Sequence, residues 1–273
     1  MKSLIIGFGE VGGALYEILK VKHEVWRKDI GPEYIDPDGS TGSEKKTGQV
    51  WALHVCLRYS DNFMQTILGY MGAHSPRVVD VCTTVPPGTT RRLGPTAVHS
   101  TTRGLHPNLA ESLKTFVKHI GGPLSRELVP YYGRAGIQCV AYERPETTEL
   151  AHILYNAAYG VQLMLADEMQ QLCRHYGTDY VETVLGYTAT GNRGFEKLDH
   201  KGKARMLIWP PGGRIGGHCV VQGAGLIPPE IRGPLMERLA RFNDAGKISE
   251  GSIPKVSEMP RLDSPPAQGG EAQ

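Results

Sequence analysis

Residues 3–19 pass from a short apolar run through a glycine turn into a helical pattern, and this junction constrains the fold more than any other feature of the chain. Ser3-Leu4-Ile5-Ile6-Gly7 reads as a strand, and Phe8-Gly9-Glu10-Val11-Gly12-Gly13 as the turn that follows it. Val11, Leu15, Ile18 and Leu19 then recur at helical spacing. His23 to Asp29 reads as a second strand, which completes one βαβ unit. In Gly7-x-Gly9-x-x-Gly12 the first glycine permits a tight turn and the second lets a pyrophosphate approach the backbone. The third lets the helix pack closely on the strand. The first turn of the helix offers free N–H groups and partial positive charge to phosphates. The expected cofactor cradle is therefore Gly7, Phe8, Gly9, Glu10, Val11 and Gly12. Asp29, 22 residues after Gly7, is placed to bind a ribose 2′-hydroxyl, which favours NAD. Arg27 and Lys28 beside it keep NADP open.

The rest of the chain continues the alternation of strand and helix. Val50–Leu57, Arg77–Thr83, Val98–Leu105 and Gly136–Tyr142 read as strands, with a helical pattern around residues 61–71. Residues 31–48 are polar, rich in Gly, Pro and Asp, and read as an irregular connection. This order implies an α/β fold: an N-terminal Rossmann-like, doubly wound parallel sheet. A long helix is expected from Glu149 to Tyr176, capped by Thr147 or Thr148 and stopped at Gly177. Further helices are expected from Asp179 and over residues 234–243. The expected organisation is a dinucleotide-binding domain over 1–146, an all-helical substrate and dimerisation domain over 147–245, and a disordered tail over 246–273.

Composition narrows the function classes. Thirty basic residues against 28 acidic give a net charge of +2, which argues against a general nucleic-acid binder. No apolar run approaches the ~20 residues that cross a bilayer. Met1-Lys2-Ser3 leads straight into the first strand, with no secretory leader, and five scattered cysteines read as free thiols. A cytoplasmic location is expected.

Three further segments carry candidate chemistry. Thr83-Thr84-Val85-Pro86-Pro87-Gly88-Thr89-Thr90 follows a strand. Glu149-Leu-Ala-His152-Ile-Leu-Tyr-Asn156 opens the long helix and puts His152 and Asn156 on one face. Pro211-Gly212-Gly213-Arg214-Ile215-Gly216-Gly217-His218-Cys219 is a glycine loop ending in a thiol. Taken singly, each has a plainer reading. A cysteine is more often a small buried apolar residue than a nucleophile, and a histidine in a helix often serves packing. His106-Pro107 closes a turn or, as its resemblance to the His-Pro after a strand in prephenate dehydrogenase-like proteins implies, turns its imidazole to a substrate. His152, His218, Cys219 and Glu149 are all zinc-ligand types, but no local pair has diagnostic spacing, so no metal is expected.

Taken together, in this order, these segments resemble the UDP-glucose/GDP-mannose dehydrogenases, within the 6-phosphogluconate dehydrogenase-like superfamily. The resemblance spans residues 4–223. It implies an NAD(P)-dependent dehydrogenase acting on CH–OH groups, with the substrate between the domains and a homodimer formed through the helix 149–176. It implies that Cys219 is the aldehyde-attacking nucleophile, that Thr84 lies by the cofactor and substrate, and that Asn156 orients the substrate oxygen. The family's lysine is His152 here, a competent base near neutral pH, with Glu149 one turn earlier to orient it or act on water. The family's Asp four residues after the cysteine is Gly223 in this chain. The family's third, nucleotide-sugar domain is not expected in the residues after Cys219. A two-electron dehydrogenase or reductase of a small or sugar-like substrate is thus the expected chemistry. A catalytically degenerate dinucleotide-binding sensor or assembly module is the alternative.

Overall fold

The computed structural model describes residues 1–244 except 30, 32, 36, 43, 101, 106, 217 and 218. His106, His218 and the expected tail, 246–273, lie outside the described residues. The chain forms two compact units: Met1–Tyr155 with Leu226–Ile231, and Asn156–Gly225 with the residues from Arg232 on.

In the first unit the chain runs β1 (Lys2–Ile6), α1 (Glu10–Leu19), β2 (Glu24–Lys28), β3 (Tyr34–Ile35), β4 (Thr41–Gly42), α2 (Glu44–Thr47), β5 (Ala52–Val55) and α3 (Phe63–His74). It continues through β6 (Val78–Val81), α4 (Thr89–Arg92), β7 (Ala97–Ser100), α5 (Leu109–Thr115), β8 (Lys118–Gly121), α6 (Ser125–Arg134), β9 (Cys139–Tyr142) and into α7 (Pro145–His175). The strands form one sheet in the order β4-β3-β2-β1-β5-β6-β7-β8-β9. β2, β1, β5, β6 and β7 are mutually parallel, while β3, β4 and β8 run against their inner neighbours. After β2 the chain crosses β1 to reach β5, so the strand order reverses there. The crevice outside the carboxyl ends of β1 and β5 is where such sheets bind ligands.

Both faces are covered, which is why β5, β6 and β7 are buried along their whole length. Ile5, Val25, Ala52, Val78, Val98 and Ile120 pack beneath Leu15 and Leu19 of α1, Leu109 and Leu113 of α5, and Leu128, Tyr131 and Tyr132 of α6. The alternate residues Leu4, Leu53, Val55, Val79 and Val81 pack with Phe63 and Ile67 of α3 on the other face. Truncating a fully buried leucine such as Leu15 to alanine costs about 2–5 kcal/mol.

The fold is the expected α/β sheet with a helical second part, and three expectations change in detail. Residues 31–48 carry β3, β4 and α2. Buried Tyr34 anchors them, its hydroxyl donating to His74 Nε2 at 3.3 Å. The strand over 98–105 stops at Ser100, and the antiparallel β8 pairs beside it. The long helix opens at Pro145, not Glu149, because proline is suited to a first helical turn. The Thr148 hydroxyl lies inside that helix at hydrogen-bond distance from the Pro145 carbonyl, 3.0 Å.

The second unit is helical. It holds the rest of α7, a π-helical segment (Val181–Gly186), α8 (Tyr187–Lys197), α9 (Val220–Gly225) and α10 (Pro234–Ala240). α7 ends as expected: Gly177 takes φ +68°, Thr178 N–H donates to the Cys173 carbonyl at 2.9 Å, and Gly177 N–H donates to Arg174 at 3.2 Å. Asp179 accepts the Glu182 N–H at 3.0 Å and caps the next helical stretch. Gly160 allows close packing, because a Cβ there would sit 2.6 Å from Val220 and 2.7 Å from Leu239. Among the described residues no helix is long and apolar enough to cross a membrane, and none of the five cysteines is in a disulfide.

Candidate active site

The glycine turn lies at the carboxyl end of β1. Gly7 takes φ +84°, and a Cβ on it would approach the Cys56 carbonyl oxygen to 2.7 Å. A Cβ on Gly12 would fall 1.9 Å from the Gly7 oxygen, so the helix can meet the strand only through glycine. Gly9 is different, since a Cβ there would have no neighbour within 4 Å. Gly9 is exposed and precedes α1, whose first N–H groups have no side-chain cap among the described residues. Two glycines are thus required by packing, and the third leaves its space open to a phosphate. Phe8, Glu10 and Val11 line the same turn. The Phe8 ring meets Tyr16 edge-on at 5.4 Å, and the Arg27 guanidinium lies 4.8 Å above both rings.

Asp29 is exposed just beyond β2. Lys28 beside it reaches over the Tyr34 ring at 5.2 Å and donates to the Gly31 carbonyl. Lys28 and Tyr34 border a cavity of about 620 Å³ that is also lined by Asn62, Thr66 and Tyr70.

The Thr83–Thr90 segment follows β6 and is fixed from both sides. The Thr83 hydroxyl donates to the Leu57 carbonyl at 2.6 Å, and Leu57 N lies 3.0 Å from where a Gly7 Cβ would be. This ties the segment to the glycine turn. On its other side stands Glu149, which is 1% exposed. Its two carboxylate oxygens accept the N–H groups of Gly88 at 2.6 Å and Thr90 at 2.9 Å. Thr84 is half-buried within this braced loop.

His99, at the end of β7, is 1% exposed. Its Nε2–H donates to the Thr83 carbonyl at 3.2 Å, so Nδ1 is free to accept the Thr148 hydroxyl at 2.8 Å. A neutral ring satisfies both contacts. Burial, helped by the charge of His152, holds its pKa down at about 3. His152 is half-buried one turn after Glu149. Burial first, then the charges of Lys118 and Arg103, lower it to about 4. His152 is therefore neutral at physiological pH and able to accept a proton.

Asn156 and Cys219 belong to the second unit. Asn156 is half-buried on α7. Cys219 is exposed at the start of α9, after a loop in which Gly212 and Gly213 take φ +66° and +105°. Asn243 pins that loop, accepting the Ile215 N–H at 3.0 Å and donating to its carbonyl at 3.0 Å. The structure thus gathers the glycine turn, Thr84, Glu149 and His152 at the carboxyl side of the first unit's sheet. The clamp by Glu149, the His99–Thr148 pair and Asn243 were not anticipated. Each joins residues far apart in sequence, and only the isolated buried-histidine pattern of β7 offered a signal.

No protein-family model and no curated protein sequence matches the chain. Solved structures do. The UDP-D-ManNAc dehydrogenase of Pyrococcus horikoshii aligns with a TM-score of 0.71 at 16% identity, over 89% of this chain and 68% of that one. The UDP-glucose dehydrogenase of Pyrobaculum islandicum aligns with 0.62 at 16% identity, over 89% and 68%. The 3-hydroxyisobutyrate dehydrogenase of Mycobacterium tuberculosis aligns with 0.65 at 14% identity, over 89% and 92%. The resemblance to the UDP-glucose/GDP-mannose dehydrogenases therefore extends to three dimensions: the chain has the Rossmann-type dehydrogenase fold with a helical second part, shared with hydroxyacid dehydrogenases.

Proposed function

We propose that the protein is an NAD(P)-dependent oxidoreductase that transfers a hydride to or from a carbinol or carbonyl carbon of a small or sugar-like substrate. The observation that carries this reading is the glycine turn, packed at Gly7 and Gly12 and open at Gly9. The residues of the turn would hold the pyrophosphate, and Asp29 the adenosine ribose, with Lys28 at hand for a 2′-phosphate. When bound, the nicotinamide supplies the hydride acceptor or donor.

The chain's own groups would supply the rest. His152, neutral at physiological pH, receives the hydroxyl proton on its ring nitrogen. Asn156 orients the substrate oxygen, and Thr84 presents its hydroxyl from the braced loop. Glu149 acts by positioning, since both its oxygens are committed to backbone N–H groups. Cys219, exposed as a nucleophile must be, would attack an aldehyde only if the oxidation runs through four electrons. A homodimer is proposed through α7, which leaves Leu150, Leu154, Tyr155, Tyr159, Leu165 and Leu172 exposed.

Calorimetric titration with NAD, NADH, NADP and NADPH tests the reading. Micromolar binding of one oxidised and reduced pair is expected, followed by substrate-dependent change in nicotinamide absorbance. Absence of binding by all four removes the proposal. Binding without turnover on any alcohol, aldehyde or hydroxyacid leaves the sensor or assembly module in its place.

A further inference from the structure

The sheet face beneath α1, α5 and α6 is largely apolar, yet it carries a cluster of ligand-type side chains at its centre. His54 of β5 and Asp80 of β6 are partners in the parallel register. Two residues on, past the ends of these strands, come Cys56 and Cys82. Alternation along a strand puts residues 54 and 56 on one face, and 80 and 82 on that same face. Cys56 and Cys82 accordingly pack with the cluster beneath α1, α5 and α6. Two adjacent strands thus bring an imidazole, a carboxylate and a thiol together, with a second thiol, Cys56, on the same face.

The distances are short. His54 Nδ1 lies 2.9 Å from Asp80 Oδ2, and Cys82 Sγ lies 3.4 Å from the same oxygen. The ligand atoms of His54, Asp80 and Cys82 all fall within 4.8 Å of one another. Cys56, two residues past His54, packs against the same cluster. His54 and Asp80 are fully buried, and Cys82 is 6% exposed. Asp80 Oδ1, also buried, has no hydrogen-bond partner among the described residues. A buried carboxylate oxygen left without a donor calls for an explanation.

We propose that His54, Cys56, Asp80 and Cys82 form a binding site for one zinc-type divalent cation, using none of the side chains assigned to the dehydrogenase reaction. The donor set selects the ion. Thiolate and imidazole together favour zinc in tetrahedral geometry, with ligand bonds of about 2.0–2.3 Å. Calcium and magnesium require six or more oxygen donors, which this cluster lacks. Binding replaces the thiol protons of Cys56 and Cys82 and the Nδ1 proton of His54, releasing them to solvent, and no redox change is involved.

The surroundings fit such an ion. His54 Nε2 is hydrogen-bonded to the Tyr131 hydroxyl at 3.1 Å, which in turn donates to Ser3 Oγ at 3.0 Å. Tyr132 donates its hydroxyl to Asp80. Such outer partners fix ring orientation and tautomer at metal sites. A dication with two thiolates and one carboxylate leaves one negative charge. Lys118, 2% exposed with its ammonium 5.2 Å over the Tyr132 ring, brings the balancing positive charge. Half-buried Cys56 at the strand end provides the approach from solvent.

The experiment uses the full chain, stripped with a chelator under reducing conditions and titrated with Zn²⁺ and Co²⁺. The expected result is one ion per chain, proton release on binding, a raised unfolding temperature, and Co²⁺ spectra with intense thiolate charge-transfer and tetrahedral bands. Cys82→Ser and His54→Gln should each weaken affinity at least tenfold, while Cys139→Ser should not. In case the variants fail to fold, wild-type protein supplies a second readout. Zn²⁺ should protect Cys56 and Cys82, but not Cys219, from alkylation followed by mass spectrometry. Weak octahedral Co²⁺ spectra, an unshifted unfolding temperature, or equal alkylation with and without Zn²⁺ would overturn the site. So would a Cys56–Cys82 disulfide forming readily in protein that shows no metal affinity, which would make the cluster a thiol pair. None of these readouts depends on turnover.

Discussion

Glu149, at the start of the long helix, accepts the backbone N–H of Thr90 at 2.9 Å and so closes the loop after β6 against α7. Its second oxygen accepts Gly88 N–H at 2.6 Å. In Glu149→Gln the amide NH₂ would face one of these N–H groups, removing one charge-assisted bond and leaving a buried donor unpaired. A loss of about 1–3 kcal/mol is expected, read as a lower urea midpoint. Unchanged stability together with loss of one limb of the pH–rate profile would instead make Glu149 a direct participant in the chemistry.

The glycine turn separates fold from binding. Gly9 has an ordinary φ of −75° and open space around its missing Cβ. Gly9→Ala should therefore change stability by only about 0.5 kcal/mol, in line with other surface positions, while dinucleotide affinity falls at least tenfold. Gly12→Ala puts a Cβ 1.9 Å from the Gly7 oxygen and should destabilise the whole unit. Circular dichroism melts and cofactor titrations on the pair check this. Equal loss of binding and stability in both would contradict the division of roles.

These glycines were legible because their signal is local: strand, turn and helix are contiguous, and Asp29 follows at a fixed interval. Gly177 was legible for the same reason. The region 101–135 was not read as β8, α5 and α6, although Leu109 and Leu113, and Leu128, Tyr131 and Tyr132, do recur at helical spacing. Pro130 inside α6 and the buried Lys118 in β8 mask the pattern. The expected start of α7 slipped because Thr148 looks like a cap, whereas its hydroxyl is turned toward His99. His54 and Asp80 carry no local signal within two apolar strands, since their meeting depends on a register 26 residues apart in sequence.

Buried histidines set a pH dependence of stability. His99 is held at about 3 by burial, so the folded state stays unprotonated where the unfolded chain, near 6.5, takes up a proton. A depressed folded pKa means that the stability is complete above about 6.5 and is lost as pH falls toward 3, by about 1.4 kcal/mol per pH unit for one group. His152, lowered to about 4, acts in the same direction until it protonates. His54 is held above its usual value; burial alone would lower it, but the Tyr131 hydroxyl and the bond to Asp80 prevail. It is protonated in both states below about 6.5 and adds nothing to this slope. Urea midpoints should therefore drop steadily from about pH 7 to 5, and His99→Gln should flatten that slope. An unchanged slope would show that His99 is not the group responsible.

The apolar face of α7 predicts self-association. Leu154 is 52% exposed and Tyr159 48%, on a helix whose exposed apolar residues continue through Leu165 and Leu172. Leu154→Glu with Leu165→Glu puts charge into that stripe without touching the buried Ile153 or Ala157. Sedimentation should find a dimer for the wild type and a monomer, equally folded, for the double variant. A wild-type monomer at tens of micromolar would remove the dimer.

If His152 takes the substrate proton, the acid limb of kcat/KM should report its depressed pKa. The limb should fall near pH 4, not near the ordinary 6.5, with tenfold loss per unit below it, because the protonated ring has no lone pair to accept. Burial causes most of the depression, and Lys118 and Arg103 add to it. Arg103→Gln removes one of these charges and should move the limb upward by less than a pH unit, with little change in kcat on the plateau. His152→Gln keeps a hydrogen-bonding side chain but no base, so the plateau should fall by about 10²–10⁴ and the limb should vanish. A limb that persists in His152→Gln would assign proton acceptance to another group.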